Sequence, residues 1–314
     1  MAEIAFHPRA LPNDLSADAL RLRPQPSGRV TIDPTGAGWR YLSYRSVDLR
    51  DAETLEVGGG DLEAVVTVIA GGGIEVSRSA AAFALPGRTD PFDALPWAAY
   101  LPAGDRSVIT GRPGSPSGVV ALAIAEAPTR PGQPGVVAEP VVIPPDDVAV
   151  EIRGGGNATR QINHIVSPAF PADRLLVVEV LTPGGNWSSF PPHKHDTDDM
   201  PREAVLEEIY RYGFHRPEGW GIQRLYRRDE TRDALWVVND GDVVLVTDGY
   251  HPFVAAHGED AYYLNALAGD RRTMACSYDA TLDWTRAAWD ELEPDPRVPL
   301  VRPPGWPRPI DRQW

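Results

Sequence analysis

The sequence predicts an all-β protein built from two small antiparallel barrels or sandwiches, and three observations carry that prediction. The 314 residues include 32 prolines and 29 glycines, a composition that breaks helices from within and supplies turns. Short runs of alternating apolar and polar residues recur along most of the chain, and glycine or proline often follows them. These runs fall into two series of similar length, which suggests a duplicated unit.

Taken in order, the first 30 or so residues are rich in Pro, Arg and Ala and show no period. Strands are then expected over residues 39–49, over 62–69 (closed by Gly71-Gly72-Gly73), and over 74–77, 98–101, 107–110 and 118–124. Six prolines between residues 127 and 148 read as a linker. The second series spans residues 150 to 284, with strands expected over 175–181, 208–212, 221–226, 234–238, 242–247 and 261–267. One helix is expected from an N-cap at Thr281 to about Leu292, followed by an extended, Pro-rich tail. The resulting division is an N-terminal arm (1–29), a first barrel (30–148), a second barrel (149–293) and a C-terminal arm (294–314). A faint echo links the halves: Tyr100-Leu101-Pro102-Ala103-Gly104 resembles Leu245-Val246-Thr247-Asp248-Gly249.

Lys and Arg number 30 against 44 Asp and Glu, a formal charge of −14. So acidic a chain is poorly suited to phosphate backbones or anionic membranes, so neither nucleic acid nor membrane is expected as a partner. The single cysteine, Cys276, excludes an internal disulfide framework. The first residues lack the basic start and apolar core of a signal peptide, and no apolar run approaches bilayer length. A soluble, cytoplasmic protein is the expectation.

The histidines carry the strongest chemical signal. His7 stands at the N-terminus; the others, His164, His193, His195, His215, His251 and His257, all belong to the second series. Only the second barrel can therefore hold a histidine metal site. On a strand, His193 and His195 project to one side while Lys194 points away, and two such imidazoles can grip one divalent ion. Alternation places Glu208, Tyr210 and Tyr212 on one face of the next strand, and a fourth ligand can come from His251, just after the strand 242–247. Glu203 and Glu207 are alternative carboxylates. A lone histidine in a β protein is more often a surface or hydrogen-bonded residue than a ligand; it is the His-x-His spacing that gives this pair its weight.

His193-Lys194-His195, Glu208 and His251 resemble the metal motifs of the cupin superfamily. The longer stretch from Thr182-Pro183-Gly184-Gly185-Asn186-Trp187-Ser188-Ser189 through Pro191-Pro192-His193-Lys194-His195-Asp196 resembles the 5-deoxy-glucuronate isomerase family, two-cupin enzymes of myo-inositol breakdown. Leu206-Glu207-Glu208-Ile209-Tyr210, Gly249-Tyr250-His251-Pro252 and Tyr262-Tyr263-Leu264-Asn265 resemble it too, as do Gly38-Trp39-Arg40-Tyr41-Leu42 and Pro91-Phe92-Asp93 in the first half. Two departures from the general cupin pattern stand out. Twelve residues separate His195 from Glu208, an insertion that is itself like the isomerases, and Thr247 stands where proline is usual.

The resemblance implies a duplicated cupin that converts 5-deoxy-glucuronate to 5-dehydro-2-deoxy-gluconate, an aldose–ketose isomerisation. It also implies one divalent ion per chain, held by His193, His195, Glu208 and His251. Imidazole-rich ligation suits Zn, Fe or Ni and the carboxylate admits Mn; zinc is the first expectation. Such an ion would stabilise an enediolate as charge develops. Tyr210 and Tyr212, sharing a face with Glu208, are candidates to donate or relay a proton, with barrel filling as the alternative. Arg160 is the candidate for the carboxylate of a uronate-like sugar acid. Gln223, Tyr263 and Asn265 are further candidate substrate contacts, with core packing as the alternative. His257 reads as an exposed loop residue and Lys194 as structural. Cupins commonly assemble through sheet edges, so a homo-oligomer is expected. A cupin metal-dependent oxygenase and a non-catalytic uronate-binding protein are the rival readings.

Overall fold

The computed structural model describes residues 15–79, 81–112 and 117–303, so His7 and the last part of the expected C-terminal arm lie outside the described residues. Each half is a pair of antiparallel sheets, and the two pairs have matching strand orders. In the first half the large sheet runs Val141–Ile143, Ala98–Leu101, Leu62–Gly71, Val119–Pro128, Ser43–Arg50, Val30–Ile32. Its small sheet runs Thr54–Val57, Ser107–Gly111, Ile74–Arg78, Ala81–Leu85. In the second half the large sheet runs Arg21–Leu22, Val243–Val246, Glu207–Phe214, Ala261–Ala268, Leu175–Thr182, Arg160–Val166, Ala149–Arg153. Its small sheet runs Trp187–Ser188, Phe253–Ala255, Trp220–Tyr226, Asp233–Asn239. The duplicated all-β architecture expected from the strand pattern is present.

Register makes the duplication quantitative. Val66 pairs with Ile124 and Val68 with Leu122 in the first half; Tyr210 pairs with Asn265 and Tyr212 with Tyr263 in the second. Ala64 faces Leu101 as Glu208 faces Val246. The sequence echo between residues 100–104 and 245–249 therefore aligns positions that are equivalent in the fold.

Three segments depart from the sequence reading. Residues without a visible period contain a helical turn, Ala17–Leu20, capped by the Ser16 side chain, and Arg21–Leu22 joins the second half's large sheet. Leu20, fully buried, explains why this segment is anchored. The proline-rich linker contributes Val141–Ile143 as an edge strand, a position where proline neighbours cost no ladder bond. The helix expected over 281–292 shrinks to Trp284–Ala287 followed by a 3₁₀ turn, Ala288–Glu291. Thr281 does not cap it, because the Asp279 carboxylate takes both the Thr281 backbone N–H and its hydroxyl into a local turn. The chain then turns back, with Gly156 donating to the Glu293 carbonyl.

Two carboxylates lock the halves together reciprocally. Glu63 accepts from the backbone N–H groups of Asp173, Arg174 and Leu175 at 2.7–2.8 Å and from the Tyr100 hydroxyl at 2.6 Å. Glu207, at the equivalent position, accepts from the N–H groups of Arg40, Tyr41 and Leu42 at 2.6–2.9 Å. Each half thus holds the segment leading into the other's strand. A buried Arg88–Glu179 ion pair, joined by the Tyr262 hydroxyl, adds a third link. The C-terminal segment is clasped as well: Val301 is buried, with its N–H on the Gln161 side chain.

Candidate active site

The interiors of the two barrels differ at equivalent positions, and that contrast locates the chemistry. In the first barrel Ala64, Val66, Val68, Leu122 and Ile124 belong to one closed apolar cluster. Their counterparts in the second are Glu208, Tyr210, Tyr212, Tyr263 and Asn265, all buried. Burying so many polar groups is costly unless they are partnered. The same scaffold fills one barrel with aliphatic side chains and lines the other with polar ones.

Three imidazoles converge on that polar interior. His193 lies on a short ribbon, His193–Lys194 paired with Ser277–Tyr278, that follows Pro191-Pro192; His195 comes immediately after it. His251 follows the turn at Gly249, whose φ of +82° and close approach to the Tyr226 carbonyl suit only glycine. One ligand atom from each of His193, His195 and His251 lies within 4.8 Å of the others. Glu208 Oε2 stands 2.8 Å from His195 Nε2 and 3.4 Å from His251 Nε2. Of the three carboxylates considered, only Glu208 reaches the cluster. Glu207 is spent on the other barrel, and Glu203 binds Lys194 and the backbone N–H groups of Asp196 and Thr197.

Backbone carbonyls set the tautomers. His195 Nδ1 donates to the Leu206 carbonyl and His251 Nδ1 to the Gly249 carbonyl, each at 3.0 Å, so both Nε2 atoms are turned toward the centre. His251 Nε2 is buried without a hydrogen-bond partner, as an imidazole lone pair directed at a cation would be. This donor set fits a divalent ion. Burial, with the neighbouring His251 and His195, pulls His193 well below the usual histidine range. Burial also lowers His251, to about 4, against the pull of Glu208. For His195 burial is outweighed by the Glu208 hydrogen bond and charge, and the net shift is upward. A neutral His193 and His251 are the forms a metal requires.

The tyrosines pack beside the cluster. The Tyr210 ring lies 5.8 Å from His251 and 4.8 Å from Tyr263, and its hydroxyl is 2.8 Å from Ser189 Oγ. Ser189 holds a φ of +49°, an uncommon conformation for a residue with a Cβ. Burial first, then the charge of Glu208, raises Tyr210 well above its ordinary value, and burial with the neighbouring Tyr263 does the same for Tyr212. Both stay protonated at ordinary pH. The Tyr212 hydroxyl is engaged by Gln223, whose amide also donates to the His251 carbonyl at 2.8 Å. Gln223 thus braces a ligand from behind. Asn265 donates to the Ile209 carbonyl, and Tyr263 bonds Ser188. Arg160 is buried, and its described hydrogen bonds use only Nη1, on the Ala158 and Phe190 carbonyls. Burial lowers it to about 10.

Several contributors were not legible in sequence. Asp196 accepts from the Gly249 N–H at 2.8 Å, tying the His195 segment to the turn that presents His251. Ser188 and Ser189 lie inside the Asn-Trp-Ser-Ser stretch, but their tyrosine partners, Tyr263 and Tyr210, lie 75 and 21 residues away. Lys194 points away from the centre into Asp196, Thr197 and Glu203, and His257 is exposed, as expected.

The model of the KduI/IolB family matches residues 20–285. The chain belongs to the KduI/IolB family. A 5-deoxy-glucuronate isomerase from Geobacillus kaustophilus is 39% identical over 257 residues, covering 81% of this chain and 89% of its own. One from Shouchella clausii is 34% identical, covering 78% and 88%. The crystal structure of an IolB-like protein from Salmonella typhimurium LT2 superposes with a TM-score of 0.78 at 32% identity, over 85% of this chain and 98% of that one. Beyond the KduI/IolB family, an oxalate decarboxylase from Lactobacillus farciminis shares the fold, with a TM-score of 0.56 at 11% identity over 82% and 88% of the two chains.

Proposed function

We propose that this chain isomerises 5-deoxy-glucuronate to 5-dehydro-2-deoxy-gluconate in the second barrel, with His193, His195, His251 and Glu208 holding one divalent ion. The observation that carries the reading is the inward set of three imidazoles and one carboxylate, in a chain similar over most of its length to isomerases of that name. Zinc suits the imidazoles first and manganese second. Bound there, the ion would supply Lewis-acid stabilisation for negative charge on the substrate oxygens.

The rest of the reaction falls to the protein. Moving a carbonyl by one carbon removes a proton from the adjacent carbon and returns one. Tyr210, protonated and held by Ser189, would give its hydroxyl proton to the old carbonyl oxygen and regain one from the neighbouring hydroxyl as the carbonyl moves, and Tyr212 stacks on it at 6.0 Å as a relay or support. Arg160 Nε and Nη2 offer a planar fork to the substrate carboxylate. Tyr263 and Asn265 shape the wall, and Gln223 fixes His251. The apolar first barrel (30–148) supports the catalytic one (149–293), and the arms 1–29 and 294–314 flank them. A cytoplasmic homo-oligomer completes this reading; among the described residues no helix is long and apolar enough to cross a membrane.

The test is metal content by mass spectrometry on wild type and His193→Ala, with turnover of 5-deoxy-glucuronate measured alongside. Near one ion per chain, lost together with activity in the variant, supports the reading. Metal retained with activity intact refutes the ligand set. Metal lost while the wild type shows no turnover leaves the site but refutes the isomerase.

A further inference from the structure

His193 is the half-buried member of the histidine cluster, whereas His195 and His251 are buried. Its ring stands 6.2 Å from that of Tyr278, the residue directly opposite on the ribbon. Tyr278 lines a cleft of about 730 Å³ whose other walls include Glu151 and Arg153 on one side and Arg286 and Trp289 on the other. Tyr278 therefore stands between this cleft and the half-buried imidazole.

The cations of this cleft are unequally committed. Arg153 is paired with Glu151 at 2.7 and 2.9 Å, and Glu151 also binds His164. Arg286 has no carboxylate partner among the described residues; its guanidinium carbon lies over the Tyr278 ring, 4.7 Å from the centroid. Deeper in, the Arg160 guanidinium lies 5.3 Å from the Trp289 ring, so the short helical segment that carries Arg286 also neighbours Arg160. That segment is seated on the loop leading into Arg160: Gly155 packs against Leu292 and the Trp289 carbonyl so closely that a Cβ would lie 2.9 Å from Leu292 Cβ.

We propose that the cleft between residues 151–153, Tyr278 and the helical segment 284–291 is the outer half of the substrate site, and that Arg286 is the specificity residue that draws anionic sugar acids toward Arg160. The proposal deepens the isomerase reading and rests on it for the substrate class. A chain of net charge −14 repels an anion at long range, so a local cation over the aromatic ring that neighbours His193 is where such a substrate gains attraction. Neutral aldoses gain nothing from it. Arg286 touches none of the histidines, so its removal leaves the ligand set intact.

The experiment is calorimetric binding of D-glucuronate, with D-glucose as the neutral probe, to metal-loaded wild type, Arg286→Ala, Arg286→Lys and Gly155→Ala. The expected result is binding of glucuronate over glucose by the wild type, weakened about tenfold in Arg286→Ala, where one charge-assisted contact is lost, and partly restored in Arg286→Lys. Gly155→Ala, which displaces the segment without touching a charge, weakens glucuronate binding as well. In turnover, Arg286→Ala raises KM for 5-deoxy-glucuronate by a similar factor at unchanged kcat and unchanged metal content, and the salt dependence of kcat/KM flattens. Glucuronate binding that is absent in the wild type or unaltered in Arg286→Ala overturns the proposal. Wild-type binding that depends on Arg286, in a protein that holds metal but turns nothing over, supports the cleft and refutes the isomerase reading instead.

Discussion

Replacing Glu63 by glutamine tests whether the two barrels are held by a single carboxylate at each junction. Glu63 is fully buried, and its two oxygens serve four donors: Arg174 and Leu175 N–H on one, Asp173 N–H and the Tyr100 hydroxyl on the other. An amide of the same shape keeps one oxygen, so two of the four donors lose their acceptor. Hydrogen bonds to a charged group contribute roughly 1.5–3 kcal/mol each, giving about 3–6 kcal/mol for the pair. Tyr100 can turn its hydroxyl and accept from the new NH₂, which recovers about 1 kcal/mol. The expected destabilisation is therefore about 2–5 kcal/mol, read as a lower urea midpoint by tryptophan fluorescence and circular dichroism. Glu56→Gln is the control, since Glu56 makes an exposed pair with Arg106 and its loss should change stability by less than about 0.5 kcal/mol. A Glu63→Gln variant destabilised by less than about 1 kcal/mol would refute the reasoning, because no arrangement of four donors around one amide oxygen is that cheap.

Further outcomes follow from the site. Tyr210→Phe should lower kcat about 100-fold with metal content unchanged, the scale of a lost proton donor; an unchanged kcat would assign Tyr210 to packing. Asp196→Asn should weaken metal binding on the order of 10–100-fold in a chelator competition, because the Gly249 N–H that sets the His251 turn loses its anionic partner; equal affinity in the two proteins would remove Asp196 from the positioning role. Asp295 is held at about 2, below the usual aspartate value of 3.8, chiefly by its hydrogen bonds to Arg297, with Asn186 contributing. A depressed carboxylate adds stability that is full above its unfolded value and lost as pH falls toward its folded one. Wild type should thus lose more stability than Asp295→Asn between pH 4 and 2, and parallel acid-unfolding curves would contradict it.

How far the sequence carried the site depended on whether the partners were close along the chain. The His-x-His pair, the alternation of Glu208 and Tyr210, and the echo of residues 100–104 in 245–249 are all local patterns, and the fold brings the two imidazoles into one cluster, turns Glu208 and Tyr210 to one face and aligns the echoed segments. The cross-barrel functions of Glu63 and Glu207 could not be read, because a strand-end glutamate looks solvent-facing until the backbone donors of another segment are brought to it. The helix expected to begin at Thr281 failed for a related reason. A threonine before an apolar run is a sound cap signal, but Asp279, two residues earlier, takes the Thr281 N–H and hydroxyl into its own turn, so the threonine side chain is held away from the helix N–H groups it would cap. The sequence also left the tail past Cys276 without a function, although Tyr278, Arg286 and Trp289 wall the cleft beside His193.

The duplication offers an internal comparison that most enzymes lack. Both halves keep the carboxylate that docks the partner, Glu63 in one and Glu207 in the other, so the demand for docking falls on both equally. One residue further along each strand the halves diverge: Ala64 packs into an apolar interior, while Glu208 faces the histidines. The divergence continues with the inward alternation, Val66 and Val68 against Tyr210 and Tyr212, and crosses to the paired strand as Ile124 and Leu122 against Asn265 and Tyr263. A polar interior costs stability that an aliphatic one supplies. The first barrel is filled by its apolar cluster and bound to the second by buried carboxylates, one of which, Glu207, directly precedes Glu208 on its strand. On this argument a substitution such as Val66→Tyr would strain the first barrel without creating a site, since no histidine of the first half lies among the described residues. Its effect on catalysis would then be transmitted only through stability.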